Sequence, residues 1–108
     1  MTLDVITARR YHHISMIRSW ADAEAEKVFN LQRSRKLPPE IQRVGLRKLW
    51  MLDAATKIED LTVPPGNRLE KLHGEREGLW SIRINDQWRV CFAWREANAY
   101  DVQIVDYH

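Results

Sequence analysis

The sequence of 108 residues predicts an α+β domain, in which an N-terminal helical hairpin packs on one face of an antiparallel four-stranded sheet. The first half of the chain repeats its apolar residues with a helical period, and the second half repeats them with a period of two. The breaks in the second half, "GEREG", "ND" and "EANA", are short, and such connections join antiparallel neighbours. Because each half has one apolar face, we expect the helices to cover the apolar face of the sheet.

The first helix is expected to begin after Trp20 and to end near Ser34. Ser19 and Asp22 resemble a capping box that would start it. The residues just before it, 17–19, are compatible with a short N-terminal edge strand. The apolar face of this helix contains Ala21, Ala25, Val28 and Phe29.

The second helix is expected to begin at Pro38 and Pro39, because proline is tolerated in the first turn of a helix. Gly45 lies inside this helix at a cost of about 1 kcal/mol relative to alanine, and we expect it to allow close packing of the two helices. The apolar stripe of the helix contains Ile41, Val44, Leu49 and Leu52.

Four strands are expected after the "PPGN" turn at residues 64–67, namely at 68–73, 79–85, 88–95 and 100–106. Alternation assigns these residues to the core face: Trp80, Ile82, Ile84, Trp88, Val90, Phe92, Trp94, Tyr100, Val102 and Ile104. It assigns these to the other face: Ser81, Arg83, Arg89, Cys91, Asp101, Gln103 and Tyr107. With no helix left to cover it, the second face is expected to be open to solvent, with Arg83 and Arg89 opposite each other. It is either an ordinary polar surface or a functional one.

Positive charge is concentrated in one part of the chain, although the net charge is only +2. Between residues 33 and 48 only Glu40 opposes a set of cations, which are Arg33, Arg35, Lys36, Arg43, Arg47 and Lys48. This basic stretch is either a solvated helix face or a docking surface for an anionic partner, such as RNA or an acidic protein.

The composition also indicates the cellular compartment in which the protein is expected to lie. A single cysteine, Cys91, excludes an internal disulfide, and we expect it to be a small side chain on the sheet rather than a nucleophile. A reducing cytoplasm is therefore the expected location. No apolar run is long enough to cross a membrane, so no membrane partner is expected.

The chain is expected to contain one domain, at residues 16–108. Residues 1–15 lack a clear period and are expected to be an N-terminal extension, either disordered or the result of an upstream start codon. They contain no continuous apolar segment of the kind found in a secretory signal. No His, Cys and Asp cluster has metal-ligand spacing, so no metal and no cofactor are expected.

Two stretches of the sequence carry a resemblance to a known family. The run "PPGNRLEKLHGEREGLWSIRINDQWRVCFAW" and the terminal "AYDVQIVDYH" strongly resemble the HigB toxins of the RelE/ParE superfamily. The stretch "MIRSWADAEAEKVFNLQRSRKLPPEIQRVGLRKLWMLDAAT" is similar to them too, so the resemblance covers residues 16–108. It implies the compact RelE-like fold, with which the pattern of helices and strands agrees. It also implies a toxin of a type II toxin–antitoxin system, a ribosome-dependent endonuclease that cuts translated mRNA and arrests growth.

The resemblance also implies the partners. A HigA-type helix-turn-helix antitoxin would bind the toxin and repress their shared operon, so operator DNA would be contacted only through the antitoxin. The toxin itself would enter the decoding site of the ribosome and contact the mRNA there. The basic stretch would then dock on the backbone of ribosomal RNA.

Cleavage of RNA without a metal uses the neighbouring 2′-hydroxyl as nucleophile and needs a base, an acid and a cation that stabilises the phosphate. Arg89 is the expected cation, because a guanidinium matches phosphate oxygens and because it resembles the catalytic arginine in the family's "WR" dipeptide. At the chain end, His108 suits proton transfer, Tyr107 suits stacking or phosphate contact, and Asp106 is expected to orient a neighbour. The alternative for these three residues is a frayed tail.

His73 occupies a position where the family places a basic residue, often lysine. Some members have a histidine three positions earlier, where this chain has Glu70, and that departure leaves open whether His73 or His108 is the general base. The residues expected to position the substrate are Lys71, Arg83 and Gln87.

Two other interpretations stay open at this point. ParE proteins share the fold but inhibit DNA gyrase by binding it without catalysis. An inactive homologue that only binds its antitoxin is the third interpretation, and the presence of Glu70 keeps it open.

Overall fold

The computed structural model describes residues 15–107 and confirms the α+β class. Helices α1 (Ala23–Phe29) and α2 (Pro39–Ala54) precede strands β1 (Glu70–Lys71), β2 (Leu79–Arg83), β3 (Trp88–Arg95) and β4 (Asn98–Asp106). The strands form one antiparallel sheet in the order β1-β2-β3-β4. Three short 3-10 helices lie in the connections, at Ile58–Thr62, Pro65–Asn67 and Gly74–Arg76.

The predicted edge segment is present beside β4. Ile17 forms a parallel bridge with Ala99, and Trp20 forms one with Val102. Ser15 already belongs to the packed structure, because its hydroxyl donates a 2.6 Å hydrogen bond to Asp53.

The start and the end of α1 differ from the sequence prediction. Asp22 is the N-cap, because its carboxylate accepts a hydrogen bond from the backbone N–H of Glu24, whereas the hydroxyl of Ser19 accepts one from Asp101. The predicted end near Ser34 was also wrong. After the helix ends at Phe29 the backbone turns through a left-handed conformation, with φ of 64° at Leu31, which no helix continues through.

Helix α2 begins at Pro39, as predicted, but its glycine has a different neighbour from the one expected. A Cβ atom at Gly45 would lie 3.6 Å from the Cδ1 atoms of both Ile84 and Ile104, which belong to the sheet side of the core. The expectation that Gly45 allows the two helices to approach each other was therefore wrong. The small residue lets α2 approach the sheet.

The core lies between the helices and one face of the sheet, as the alternation predicts, with one exception. Its fully buried members include Leu49, Ile82, Phe92 and Val102. Tyr100 was predicted to join them, but a β-bulge lies between the pairs Cys91–Gln103 and Ala93–Tyr100. The extra residue, Asp101 with φ of 53°, reverses the alternation, and the Tyr100 ring lies instead 4.2 Å from the Arg95 guanidinium carbon.

The other face of the sheet was predicted to be open to solvent, and this was wrong for its centre. Ser81 and Cys91 are fully buried, and Arg89 is only 8% exposed. Leu72, which follows β1, is buried without belonging to the main core cluster. The segment that begins with β1 therefore closes over this face.

Candidate active site

A cleft lies where the 3-10 helix after β1 meets the end of β4. It has a volume of about 370 Å³, and the residues that line it are His73, Glu75, Arg76, Asp106 and Tyr107. Gly74 has φ of 73° and Gly78 has φ of 91°, and these left-handed conformations let the chain turn back sharply from β1 into β2. The local fold thus places the loop side chains directly opposite the end of the chain.

The ring of Tyr107 is in contact with two guanidinium groups. Its backbone N–H donates a 2.6 Å hydrogen bond to the carbonyl of Gln87, which fixes the residue after β4 has ended. The guanidinium carbon of Arg89 lies 5.6 Å from the centre of its ring, and that of Arg76 lies 5.7 Å from it. Contacts of this kind between a cation and a ring are attractive, by about 0.5–1 kcal/mol at exposed sites.

Arg89 projects from the start of β3 toward the ring of Tyr107. Its Nη2 donates a hydrogen bond to the carbonyl of Arg68, and its Nη1 lies 3.7 Å from a carboxylate oxygen of Glu70. Its Nε is buried and has no hydrogen-bond partner among residues 15–107, and the same is true of the Ser81 hydroxyl. Buried polar groups are nearly always paired, so this face retains hydrogen-bonding capacity for a water or a ligand.

Asp106 is exposed and lines the cleft. Its carboxylate accepts a 3.0 Å hydrogen bond from the side-chain amide of Gln87. Gln87 therefore holds the end of the chain through both its backbone and its side chain. Its predicted role as a substrate ligand stays a prediction.

The structure does not bring all predicted substrate ligands to the cleft. Lys71 lies on the other side of the sheet, with its Nζ 5.6 Å from the centre of the Trp80 ring. Arg83 is paired with Arg89 in the strand register, as predicted, but its guanidinium binds Asp86. That hydrogen bond and the positive charge lower the pKa of the Asp86 carboxyl. His108 lies outside the described residues.

Comparison with known proteins shows which protein family the chain belongs to. Residues 18–108 match the model of HigB-like toxins, described as the RelE-like toxin of the type II toxin–antitoxin system HigB. The chain belongs to this family. The resemblance drawn from its motifs is thereby confirmed, and a toxin of this type has an antitoxin as its partner.

Two curated relatives agree with the HigB assignment. The chain is 42% identical to Toxin HigB-1 of Vibrio cholerae over 73 residues, which are 68% of this chain and 77% of the relative. It is 32% identical to Endoribonuclease HigB of Proteus vulgaris over 97 residues, which are 86% of this chain and the whole of the relative.

The basic stretch of this HigB-like chain is mostly exposed. Arg33, Arg35, Lys36, Arg43 and Arg47 all face solvent. Lys48 differs, because its ammonium donates a 2.6 Å hydrogen bond to Asn67, and burial together with the charges of Arg47 and Arg83 lowers its pKa. A neighbouring groove of about 480 Å³ is lined by Arg43, Leu46, Arg47 and Trp50.

Sequence reasoning missed two residues of the site. Arg76 lies in the stretch "GEREG", which resembles a simple break between strands, and no periodicity points it toward Tyr107. Glu70 was noted only as a departure from the family, although it lies in a predicted strand. Its pairing with Ser81 in the β1–β2 register, which the sequence does not give, places it next to Arg89.

Three remaining features of the described residues bear on the chemistry. Burial raises the pKa of the Cys91 thiol, which agrees with its predicted role as a small side chain. Between residues 15 and 107 no three His, Cys, Asp or Glu side chains are grouped so that they would hold a metal ion. No helix in the same part of the chain has the length and apolar character needed to cross a membrane.

Proposed function

We propose that this HigB-like toxin is an endoribonuclease that cleaves mRNA on the translating ribosome without a metal ion. In the proposed reaction the 2′-oxygen next to the scissile phosphate attacks phosphorus, and the bond to the 5′-oxygen breaks. The products are a 2′,3′-cyclic phosphate and a 5′-hydroxyl. The relative from Proteus vulgaris supports this activity, because it is named an endoribonuclease and the match covers its whole length.

The observation that carries the proposal is the contact of the Arg89 guanidinium with the ring of Tyr107, a residue that lines the cleft. A guanidinium that donates toward a phosphate stabilises the negative charge that grows on its oxygens during the attack. The Arg89 guanidinium donates a hydrogen bond to a neutral carbonyl and contacts a ring, and its ion pair with Glu70 is long, at 3.7 Å. This leaves the positive charge available to the substrate.

The other groups of the cleft supply the remaining chemistry. His73 and Asp106 line it, and His108 follows Tyr107 in the chain, so that imidazole and carboxyl groups capable of proton transfer surround the substrate. Tyr107 offers a ring on which a base or the backbone of the RNA can rest. Arg76, which lines the cleft and also contacts that ring, adds a second positive charge for a phosphate.

The proposed partners follow from the location of this reaction. The toxin would act in the cytoplasm and dock on ribosomal RNA through the exposed arginines of the basic stretch, whose groove also offers the half-exposed Trp50 for stacking. A HigA-type helix-turn-helix protein is the proposed antitoxin. Operator DNA would be reached only through that protein.

The experiment that tests the function is a map of mRNA 5′ ends after a short induction of the toxin in bacteria. The wild-type protein should create new ends inside translated codons, and Arg89→Ala and Arg89→Lys should remove them. Arg95→Ala is the matched control, because Arg95 lies on the same strand and rests on a tyrosine ring, Tyr100, outside the cleft. This control should cleave as the wild type does.

Folding of each variant is checked by capture on the antitoxin and by thermal unfolding. Growth arrest by the wild type without new 5′ ends would contradict the proposal and favour a non-enzymatic target such as DNA gyrase. Equal cleavage by wild type and both Arg89 variants would show that the catalytic cation lies elsewhere.

A further inference from the structure

Glu70 lies on the face of the sheet that carries Arg89. It pairs with Ser81 in the register of β1 and β2, and Ser81 pairs with Cys91 in the register of β2 and β3. Arg89 is two residues before Cys91 and therefore points to the same side. The carboxylate of Glu70 lies 3.7 Å from the Nη1 of Arg89, and half of the Glu70 side chain is exposed.

A purely structural role for Glu70 explains this contact poorly. At 3.7 Å the two groups do not form a hydrogen bond, and although Arg89 is buried, the exposed half of the Glu70 side chain lets water screen its charge. Arg89 is already oriented by its hydrogen bond to the Arg68 carbonyl and by the Tyr107 ring. The carboxylate of Glu70 therefore keeps its capacity to accept a proton or a hydrogen bond from the solvent side.

The proposed cleavage reaction requires a base beside the cation. The 2′-oxygen attacks the same phosphorus whose non-bridging oxygen the cation binds, so the group that removes the 2′-hydroxyl proton must be a neighbour of that cation. Glu70 is the carboxylate that contacts Arg89 in the described part of the chain. An ionised carboxylate is an acceptor with no proton to donate, which is what the first step needs.

We propose that Glu70 is the general base of the cleavage reaction, an assignment that rests on the proposed function. Its carboxylate takes the 2′-hydroxyl proton as the electron pair of the O–H bond forms the new bond from the 2′-oxygen to phosphorus. The bond from phosphorus to the 5′-oxygen breaks, and the leaving oxygen takes a proton from an acid of the cleft. His73, which is exposed at the cleft, is then free to serve as that acid rather than as the base.

The test measures single-turnover cleavage of a synthetic mRNA bound to programmed ribosomes by Glu70→Gln, Glu70→Asp and Glu77→Gln. Glu77→Gln is the matched control, because Glu77 is an exposed glutamate in the connection from β1 to β2 and its variant carries the same change of charge. Glu70→Gln should lower the cleavage rate by about 10²–10⁴-fold, which is the range for loss of a general base. Glu70→Asp should retain part of the rate, and all three variants should bind programmed ribosomes as the wild type does.

The dependence of the rate on pH separates a base from a structural residue. Without its base, Glu70→Gln should depend on hydroxide, so the logarithm of its rate should rise linearly with pH where the wild-type rate levels off. A Glu70→Gln rate within about threefold of wild type, well below the range for a base, would overturn the assignment. So would a lower rate with an unchanged pH profile and weaker ribosome binding.

Failure of this assignment is distinguishable from failure of the proposed function. If the wild type and Glu77→Gln cleave the mRNA but Glu70→Gln cleaves it equally well, only the identity of the base is wrong. If the wild type does not cleave, the proposed function fails and the assignment with it. An mRNA with a single 2′-deoxy nucleotide at the cut site should resist the wild type, since it lacks the attacking hydroxyl.

Discussion

At the scale of single residues, the nitrogen atoms of Arg89 meet three different environments. One nitrogen donates to a backbone carbonyl, one faces the carboxylate of Glu70 without bonding to it, and one is buried without a partner among residues 15–107. A side chain that was fully paired would have to break those contacts before it bound a phosphate. The incomplete pairing of Arg89 lowers that cost, which suits a residue that binds an anion.

A second residue, Glu24, links α1 to the loop that follows it, and it leads to a prediction about pH. Its carboxylate accepts a 2.6 Å hydrogen bond from the Ser34 hydroxyl and one of 3.2 Å from Lys27, and these contacts lower its pKa. A pKa that is lower in the folded state stabilises the fold at pH values above the ordinary glutamate value of about 4.3. This contribution is lost as the pH falls through the lowered pKa. Glu24→Gln should therefore be less stable than wild type near neutral pH, and the difference should vanish in acid.

Urea unfolding at several pH values measures this difference, with Glu26→Gln as the control. Glu26 lies exposed on the same helix, so its variant carries the same change of charge without the Ser34 contact. A Glu24→Gln difference that stayed constant from neutral to acidic pH would argue against the ionic origin of the effect.

At the scale of elements, the fit between α2 and the sheet depends on Gly45. The space at this position accepts a methyl group, because its nearest neighbours would be two isoleucine methyls at the ordinary contact distance of 3.6 Å. Alanine also favours a helix interior by about 0.8–1.0 kcal/mol over glycine. Gly45→Ala should therefore raise the free energy of unfolding by up to about 1 kcal/mol.

Chemical denaturation measures the effect of Gly45→Ala directly, and Gly45→Leu is the companion variant. The larger side chain would overlap the isoleucine side chains of the sheet and should lower stability by about 1–3 kcal/mol, as overpacking does. Loss of stability in Gly45→Ala would contradict the conclusion that the space at this position accepts a methyl group.

Element by element, the alternation of residues predicted which side of each strand faces the core as far as the bulge. It failed at Tyr100, because an additional residue in a strand leaves no trace in composition and becomes visible only in the pairing with β3. The end of α1 was misplaced for a similar reason, since the left-handed turn at Leu31 involves a residue that seldom adopts it. Local sequence patterns therefore indicated which helices and strands form. Contacts between distant segments decide where those elements end and where a strand is interrupted.

The candidate site shows the same division. The motif resemblance pointed to four of the described residues. The structure places His73, Asp106 and Tyr107 at one cleft and Arg89 in contact with Tyr107. The covering of the sheet face and the approach of Glu70 and Arg76 depend on how the segment after residue 68 folds back. That path is determined by long-range packing, which the spacing of residues along the chain does not record.

At the scale of the whole molecule, two regions of positive charge bear on the proposed function. One is the exposed part of the basic stretch, and the other is the cleft with Arg76 and Arg89. If the first region docks on ribosomal RNA, Arg43→Glu with Arg47→Glu should weaken binding to ribosomes and reduce its dependence on salt. The slope of log affinity against log salt should fall by about one unit for each phosphate that the variant no longer binds.

Sedimentation with purified ribosomes at several salt concentrations measures this slope. Arg95→Glu is the control, because it makes one charge reversal of the same kind on β3, outside both regions. An unchanged slope in the double variant would assign ribosome binding to another surface. Cleavage of mRNA at low salt should survive the double variant, since the cleft is intact.

The two edges of the sheet have a consequence for the toxin once it has separated from its antitoxin. One edge is β1, which is only two residues long, and the other edge, at β4, is already paired with the segment that carries Ile17 and Trp20. Long unpaired strand edges act as templates on which further copies of a chain can add, and they are a common origin of insoluble assemblies. Neither edge of this sheet offers such a template over the described residues. Over the described residues, the edges of this sheet therefore give a second copy of the free toxin little unpaired strand on which to add.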